Sequence, residues 1–132
     1  EGLYAIFDRN HLQAAVWGHA GDGNLHVQPF LDLSQVGDRQ KAFRLMDDYA
    51  QLIFSLGGSL SGEHGEGRLR APYIATQYGA EMYALFQKVK TIFDPYGTLN
   101  PGVKVNVSME SVRALLRSGY TLDHLYGFMP RT

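Results

Sequence analysis

Two histidines, His19 and His26, flank the dipeptide Asp22-Gly23. Asp-Gly between two extended segments is the strongest short-range signal for a β-hairpin, and a two-residue turn there predicts that His19 lies directly opposite His26. Opposed side chains of an antiparallel pair have Cβ atoms roughly 4.5–5.5 Å apart, which lets two imidazoles bind one metal ion. The alternative is a half-buried hairpin whose histidines hydrogen-bond to the backbone.

Glu63 and His64 lie in a glycine-rich segment, residues 57–72, and supply groups that a histidine pair lacks. Such a density of glycine is typical of a loop that bends sharply or approaches a ligand, although a flexible surface connector has the same composition. Catalytic zinc often has two histidines and one carboxylate as ligands, and His19, His26 and Glu63 match that set. Manganese, iron and cobalt accept the same residue types.

His64, the neighbour of the predicted ligand Glu63, is a candidate base. Histidine titrates near neutral pH and can take a proton from a hydroxyl group whose pKa a metal ion lowers. A fourth metal ligand and a loop anchor are the alternatives for His64. Asp22 competes with Glu63 as the carboxylate ligand, but at the tip of a turn we expect it to bond to nearby backbone. Glu66 and His11 have weaker claims.

The elements around these motifs follow from apolar periodicity. Helical spacing predicts one amphipathic helix between Asp38, a candidate N-cap, and Gly57. A second helix is predicted from about Ala80 to Phe93. Alternation over Val103–Val107 predicts a short strand, and Ser108 is expected to cap a final helix.

Antiparallel strands combined with two long amphipathic helices predict an α+β fold, in which helices pack on one face of an antiparallel sheet in a ferredoxin-like arrangement. Because successive strand residues point to opposite faces, Val16 and Val27 are expected to face the helices. Trp17, His19, His26, Gln28 and Phe30 are expected on the other face, where they would line a cavity.

Composition limits the classes of function. The chain has 132 residues, of which 45% are hydrophobic, so it has the size of one domain with a core. A formal charge of −1 without a basic run argues against nucleic acid as a partner. Without an apolar stretch of roughly 18 to 20 residues or an export signal, we expect a cytoplasmic location, with peripheral membrane association left open. No cysteine is present, which excludes thiolate metal sites.

Three motifs follow one another along the chain. They are GHAGDGNLH at Gly18–His26, SGEHGEG at Ser61–Gly67, and Phe93-Asp94-Pro95 with Leu99-Asn100-Pro101-Gly102. In this order they resemble the C-terminal part of FAD-linked oxidases, the flavin dehydrogenases of the D-lactate, glycolate and D-2-hydroxyglutarate type in the vanillyl-alcohol-oxidase superfamily. The resemblance covers about residues 14–107.

This resemblance implies a function for the candidate residues. His19, His26 and Glu63 would bind a divalent metal, usually zinc, and His64 would act as base toward the hydroxyl of a D-2-hydroxy acid. Hydride would then pass from the substrate to FAD, which gives the 2-oxo acid. Asn100 is implied to lie near the flavin ring. In this chain Gln28 replaces an asparagine of many relatives, and it is the implied substrate contact.

The resemblance also divides the chain and names its partners. Residues 1–107 would be the C-terminal part of the substrate domain, and residues 108–132 a C-terminal helix and tail. FAD would be held mainly by a separate N-terminal domain of the same polypeptide, and the electron acceptor is not assigned. The chain opens on Glu1 rather than methionine, so we expect a piece of a longer protein, with little before the hairpin and no activity on its own.

Two alternative functions stay open. The first is a non-catalytic binding or assembly module with a structural metal ion, whose coordination would be closed, whereas a catalytic zinc keeps one position for water or substrate. The second is a relative that has lost its metal and oxidises another alcohol. In that case the histidine pair would be hydrogen-bonded without an ion.

Overall fold

A short hairpin and four helices carry the motifs in the computed structural model, which describes residues 1–116. The predicted tail beyond Leu116 lies outside the described residues. In chain order the elements are α1 (Gly2–Arg9), β1 (Ala14–His19), β2 (Asn24–Pro29), α2 (Val36–Ser55), α3 (Ile74–Phe93) and α4 (Met109–Ala114). Strands β1 and β2 form a two-stranded antiparallel sheet, so the α+β class is confirmed. The larger ferredoxin-like sheet stays a prediction.

The hairpin forms, but the predicted pairing of His19 with His26 is wrong. His26 lies opposite Trp17, and His19 lies opposite Asn24. Residues 20–22 form one turn of 3-10 helix, and Gly23 closes the loop with a left-handed φ of 70°, so the connection has four residues instead of two. The register is therefore displaced by two residues, which leaves every side chain on its predicted face because the strand period is two. The two histidines are diagonal neighbours on one face.

The hydrophobic core lies between α1, α2 and the inner face of the hairpin. Ile6 and Phe7 of α1 pack against Leu45 of α2, and Ala14 and Val27 of the hairpin pack against this cluster. The helices thus cover one face of the sheet, with Val27 on the predicted side. Helix α1 was not predicted, since little was expected before the hairpin; it has eight residues and no side-chain cap at its N-terminus.

Helix α2 begins earlier than predicted. Its N-cap is Gln35, whereas Asp38, the predicted N-cap, lies inside the first turn. There an Asp38 carboxylate oxygen accepts a hydrogen bond from the Asp32 backbone N–H at 3.0 Å. The negative charge is still well placed, since carboxylates near a helix N-terminus interact favourably with the helix dipole. The predicted end is confirmed, because Gly57 follows the helix with a left-handed φ of 72°.

Helix α3 contains the second predicted helix as its longer part. The helix is interrupted at Gly79, whose φ of 81° and ψ of 161° are not helical, and residues 80–93 follow that break. No helix in residues 1–116 combines the length and apolarity needed to cross a membrane.

The strand predicted over Val103–Val107 is wrong. Lys104 and Asn106 have φ values of 67° and 58°, in the left-handed region, and a strand requires negative φ. The segment instead joins two other parts of the chain. Lys104 N–H donates to the Gly67 carbonyl at 2.9 Å, and Asn106 N–H donates to the Tyr83 hydroxyl at 2.9 Å. The predicted cap that follows is confirmed, since Ser108 Oγ accepts from Ser111 N–H at 3.1 Å.

Asp94 organises the turn that follows α3. Its buried carboxylate accepts hydrogen bonds from the backbone N–H groups of Thr98 and Leu99, both at 2.9 Å. Lys90 Nζ donates to the same carboxylate at 2.6 Å. The hydrogen bond from Lys90, with the two backbone N–H groups, lowers the pKa of Asp94 from 3.8 to about 2. This turn leads directly to Asn100, which has a φ of 46°.

Asp94→Asn is expected to lower the thermal stability of the chain at neutral pH, because it removes the charge that Lys90 faces. The folded-state pKa of Asp94 lies below the unfolded value, so its ionised form stabilises the fold fully above about pH 4, and this contribution is lost as the pH falls toward 2. The difference in unfolding midpoint between wild type and variant should therefore shrink between about pH 4 and pH 2. Asp22→Asn, at the exposed hairpin tip, is the control. A difference that does not change with pH would contradict this role of Asp94.

Candidate functional site

The Glu63 carboxylate lies against the histidine-bearing face of the hairpin. Its Oε2 is 3.2 Å from His26 Nε2 and 4.0 Å from His19 Nε2. The same oxygen accepts a hydrogen bond from Asn24 Nδ2 at 2.9 Å. The structure therefore brings together the three residues predicted as metal ligands, although 37 residues separate His26 from Glu63.

These distances fit a divalent cation. Zinc bonds to nitrogen and oxygen are about 2.0–2.1 Å long, so two ligand atoms on one tetrahedral ion lie roughly 3.3 Å apart. The separation of 3.2 Å between His26 and Glu63 meets this requirement directly. The 4.0 Å separation of His19 from Glu63 exceeds this value, so the His19 side chain, which is 66% exposed, must move closer before it can share the ion. Imidazole and carboxylate donors suit zinc and the neighbouring transition metals.

His64 lies beside this group, a position compatible with either a base or a fourth metal ligand. Its ring centroid is 5.3 Å from that of His26. One potential ligand atom from each of His26, Glu63 and His64 lies within 4.8 Å of the other two. The described residues therefore place His26, Glu63 and His64 in one group of three potential ligands, while His19, 4.0 Å from Glu63, lies outside that group.

The electrostatic surroundings keep Glu63 ionised. The hydrogen bond from Asn24 is the largest cause that lowers the pKa of Glu63; desolvation, the next largest, opposes it, and the neighbouring His64, His19 and His26 lower the pKa further. An ionised carboxylate with a fixed orientation attracts a cation. Asn24 thus acts on the site without needing to bind a metal, and although it belongs to the first motif, no local pattern indicates this role.

Gly62 allows the loop to approach the hairpin this closely, and Gly18 allows the two strands of the hairpin to approach each other. A Cβ atom at Gly62 would lie 2.6 Å from Asn24 Oδ1. Gly18 has a φ of 131°, and a Cβ there would lie 2.5 Å from the Asn24 carbonyl oxygen. On the other side of the site, the Trp17 ring stacks on the His26 ring at a centroid distance of 5.8 Å. This contact limits the orientations available to His26.

The loop that carries Glu63 is anchored on both sides. Before it, the buried Leu60 accepts a hydrogen bond from Arg70 Nη1 to its carbonyl at 2.6 Å, and its N–H donates to Gln77 Oε1 at 3.3 Å. After it, Lys104 Nζ lies 3.4 Å from Glu66 Oε2. These partners are distant in sequence, so no local pattern could have indicated them.

The remaining candidates lie around this group without joining it. Gln28 is exposed on the same face of β2 as His26, two residues further along the strand. Asn100 lies in the turn after Asp94. Within residues 1–116 the Asp22 side chain makes no hydrogen bond, so the expected bond to backbone is not observed. His11 lines a separate cleft beside Arg9.

Comparison with known proteins gives one family and a set of relatives. Residues 1–103 match the family model described as FAD linked oxidases, C-terminal domain. Glycolate oxidase subunit GlcD of Escherichia coli K12 is 36% identical over 105 residues, which cover 80% of this chain and 21% of that protein. D-2-hydroxyglutarate dehydrogenase of the same strain is 40% identical over 98 residues, 74% of this chain and 10% of that protein. GlcD of Bacillus subtilis is 33% identical over 91 residues, 69% of this chain and 19% of that protein.

Gly62→Ala is expected to separate the loop from the hairpin, because the added methyl group would overlap the Asn24 amide, the group that donates to Glu63. The side-chain amide resonances of Asn24 should shift toward those of a free amide in NMR spectra, and the unfolding midpoint should fall. Gly21→Ala in the hairpin loop is the matched control, since no atom lies within 4 Å of its added Cβ. Equal spectra for the Gly62 variant and wild type would show that the close approach is not needed.

Proposed function

The chain belongs to the family of FAD-linked oxidase C-terminal domains, and we propose that it forms the substrate side of an FAD-dependent enzyme that oxidises a D-2-hydroxy acid to the 2-oxo acid. Glycolate and D-2-hydroxyglutarate, which appear in the names of two relatives, are both 2-hydroxy acids. The chain spans about a fifth of the first relative and a tenth of the second, so the proposal concerns a larger protein. The convergence of His19, His26 and His64 on Glu63 is the observation that carries it.

We propose His19, His26 and Glu63 as the residues that hold a divalent metal, with zinc as the best match to the donor set. When bound, such an ion supplies Lewis-acid polarisation of the substrate hydroxyl and lowers its pKa. The chain contributes the preorganisation. Asn24 keeps Glu63 ionised and oriented, and the stack with Trp17 limits the rotation of His26.

His64 is proposed as the base. It follows Glu63 directly, so a hydroxyl group oriented by the ligand set would lie within reach of its ring. A neutral imidazole nitrogen can accept the hydroxyl proton, and base catalysis of this kind typically contributes 10²–10⁴-fold. FAD, when bound by the larger protein, supplies the acceptor for the hydride. Gln28 and Asn100 are proposed to contact the substrate and the flavin ring, respectively.

The presence of four potential ligands favours one alternative. If His64 binds the ion together with His19, His26 and Glu63, the coordination is closed, as in structural zinc sites. The domain would then be a binding or assembly module with a structural metal. The two functions differ in the role of His64, which is either a ligand or a base.

Metal content separates these two functions. In the whole FAD-linked oxidase we expect His26→Ala and Glu63→Ala to remove the bound metal, and His19→Ala to weaken binding by roughly 10-fold or more. His64→Ala should retain the metal at the wild-type ratio. Metal per protein is measured by mass spectrometry after dialysis, with Asp22→Ala as the control. Loss of metal from the His64 variant to the same extent as from the His19 variant would favour the closed structural site.

Flavin reduction tests the reaction. In the whole protein, bleaching of the FAD absorbance is followed after addition of D- and L-2-hydroxy acids, before and after chelation. His64→Gln should slow bleaching by about 10²–10⁴-fold while the metal stays bound, since only the base is lost. Asp22→Asn is again the control. Absence of bleaching by any acid in the panel would overturn the hydroxy-acid assignment, and bleaching that a chelator does not affect would remove the metal from the mechanism.

A further inference from the structure

Helix α3 presents its polar face to its own chain. Tyr83 accepts a hydrogen bond from Asn106 N–H, and Gln87 donates to the Asn106 side chain at 2.6 Å. One turn further, Lys90 donates to Asp94. Tyr83, Gln87 and Lys90 recur at intervals of four and three, so they share one side of the helix. The side that faces residues 94–106 is therefore polar.

The opposite side of α3 is apolar and exposed. After the break at Gly79 it carries four large side chains at intervals of three, four and three residues, from Met82 to Ile92, and two further exposed side chains flank them, one before the break and one in the turn that follows the helix. We call this row the outer seam: Tyr78 (44% exposed), Met82 (44%), Leu85 (51%), Val89 (47%), Ile92 (73%) and Tyr96 (90%).

This arrangement is the reverse of an ordinary amphipathic helix, which buries its apolar stripe and exposes its polar side. Single exposed apolar residues need no explanation, but the outer seam is continuous over the 14 helical residues that follow Gly79. A contiguous apolar surface on the order of several hundred Å² normally marks an interaction site. Among residues 1–116 the apolar side of this helix therefore lacks a partner.

We propose that the outer seam is the surface on which the rest of the FAD-linked oxidase polypeptide, outside this C-terminal domain, packs. The relatives provide the length for such a partner, because the matched segment is only 21% of one relative and 10% of another. The proposal rests on family membership and does not depend on the reaction proposed above. The partner surface must be apolar, since the seam offers no charge to it.

A second copy of the chain is a weaker candidate for the same surface. Residues 80–93 provide only two heptads, whereas a lasting coiled-coil seam usually needs three to four. A surface on the same polypeptide needs less contact area, because covalent connection gives an effective concentration in the mM range. The seam also continues past α3 through Tyr96 toward Leu99, which is 58% exposed and precedes Asn100. Its far end thus lies beside the residue proposed to contact the flavin.

Oxidation of Met82 by hydroxyl radicals tests the proposal without any substitution. Met82 should react in the 132-residue chain and be protected roughly 10-fold or more in the whole FAD-linked oxidase, since a packed interface excludes solvent. Protection in the whole protein supports the proposal. Equal reactivity of Met82 in the two proteins overturns it. Protection that already exists in the 132-residue chain and depends on its concentration would identify a second copy as the occupant, and would also overturn it.

Leu85→Glu provides a second test in the whole protein, because burying a charge at the centre of the seam costs free energy unless an opposite charge pairs with it. FAD retained after gel filtration should fall roughly 10-fold or more relative to Ala84→Glu, a matched control on the same helix but outside the seam. The same two variants in the 132-residue chain should have equal unfolding midpoints, since the seam is already exposed there. Equal FAD retention by both full-length variants overturns the proposal. Neither measurement requires oxidation of a hydroxy acid, so a failure of the proposed function remains distinguishable.

Discussion

The contact between Glu63 and the hairpin is the constraint on which the site depends. The carboxylate is held by Asn24 and lies within hydrogen-bond distance of His26, so one hydrogen bond fixes both its charge state and its position. That contact forms only because no side chain stands between the two segments at Gly62, while Gly18 lets β1 lie close to Asn24 and His26 of β2. The glycines of the first two motifs are therefore part of the candidate site as much as the proposed ligands are. They determine the distance between the backbones, and this distance determines whether the imidazoles and the carboxylate can share an ion.

Local patterns were sufficient to predict the type of each element that carries the site. The hairpin was predicted from Asp22-Gly23, and its two faces were correct even though the register was not. The reason is that a loop of four residues displaces the pairing by two positions, which is one full period of the strand. A register error of one position would have exchanged the two faces of β2, so that His26 pointed into the core and Val27 away from it. The long helices were predicted from their periodicity, whereas the start of α2 was not, since several polar residues near Asp38 can cap a helix.

The features that could not be predicted depend on contacts between distant residues. Asn24 can donate a hydrogen bond to Glu63 only because the fold brings Glu63 beside it. In the same way, the Lys104 N–H can donate only because the fold brings the Gly67 carbonyl within reach. The alternation over 103–107 was a reasonable strand signal, but a strand needs a neighbour with which to pair. Here Tyr83 and Gly67 supply the hydrogen-bonding partners instead, and the segment takes left-handed conformations at two positions. Helix α1 similarly depends on a distant contact, the packing of Ile6 and Phe7 on Leu45, since it has no side-chain cap at its N-terminus.

The exposed site and the exposed seam are connected through a single segment. Asn106 is hydrogen-bonded to the inner side of α3, and Lys104, two residues earlier, is bonded to Gly67 and paired with Glu66 in the loop that carries His64. A surface that packs on the outer seam would restrict α3, and this restriction would pass through residues 104–106 to the loop. Glu63 is 43% exposed and His19 66% exposed, whereas base catalysis and metal binding both gain from a site that excludes water. Covering α3 and closing the site would therefore be two effects of the same packing event. On this view the C-terminal domain provides the ligands, and the remainder of the polypeptide provides the dry and rigid surroundings in which they can act.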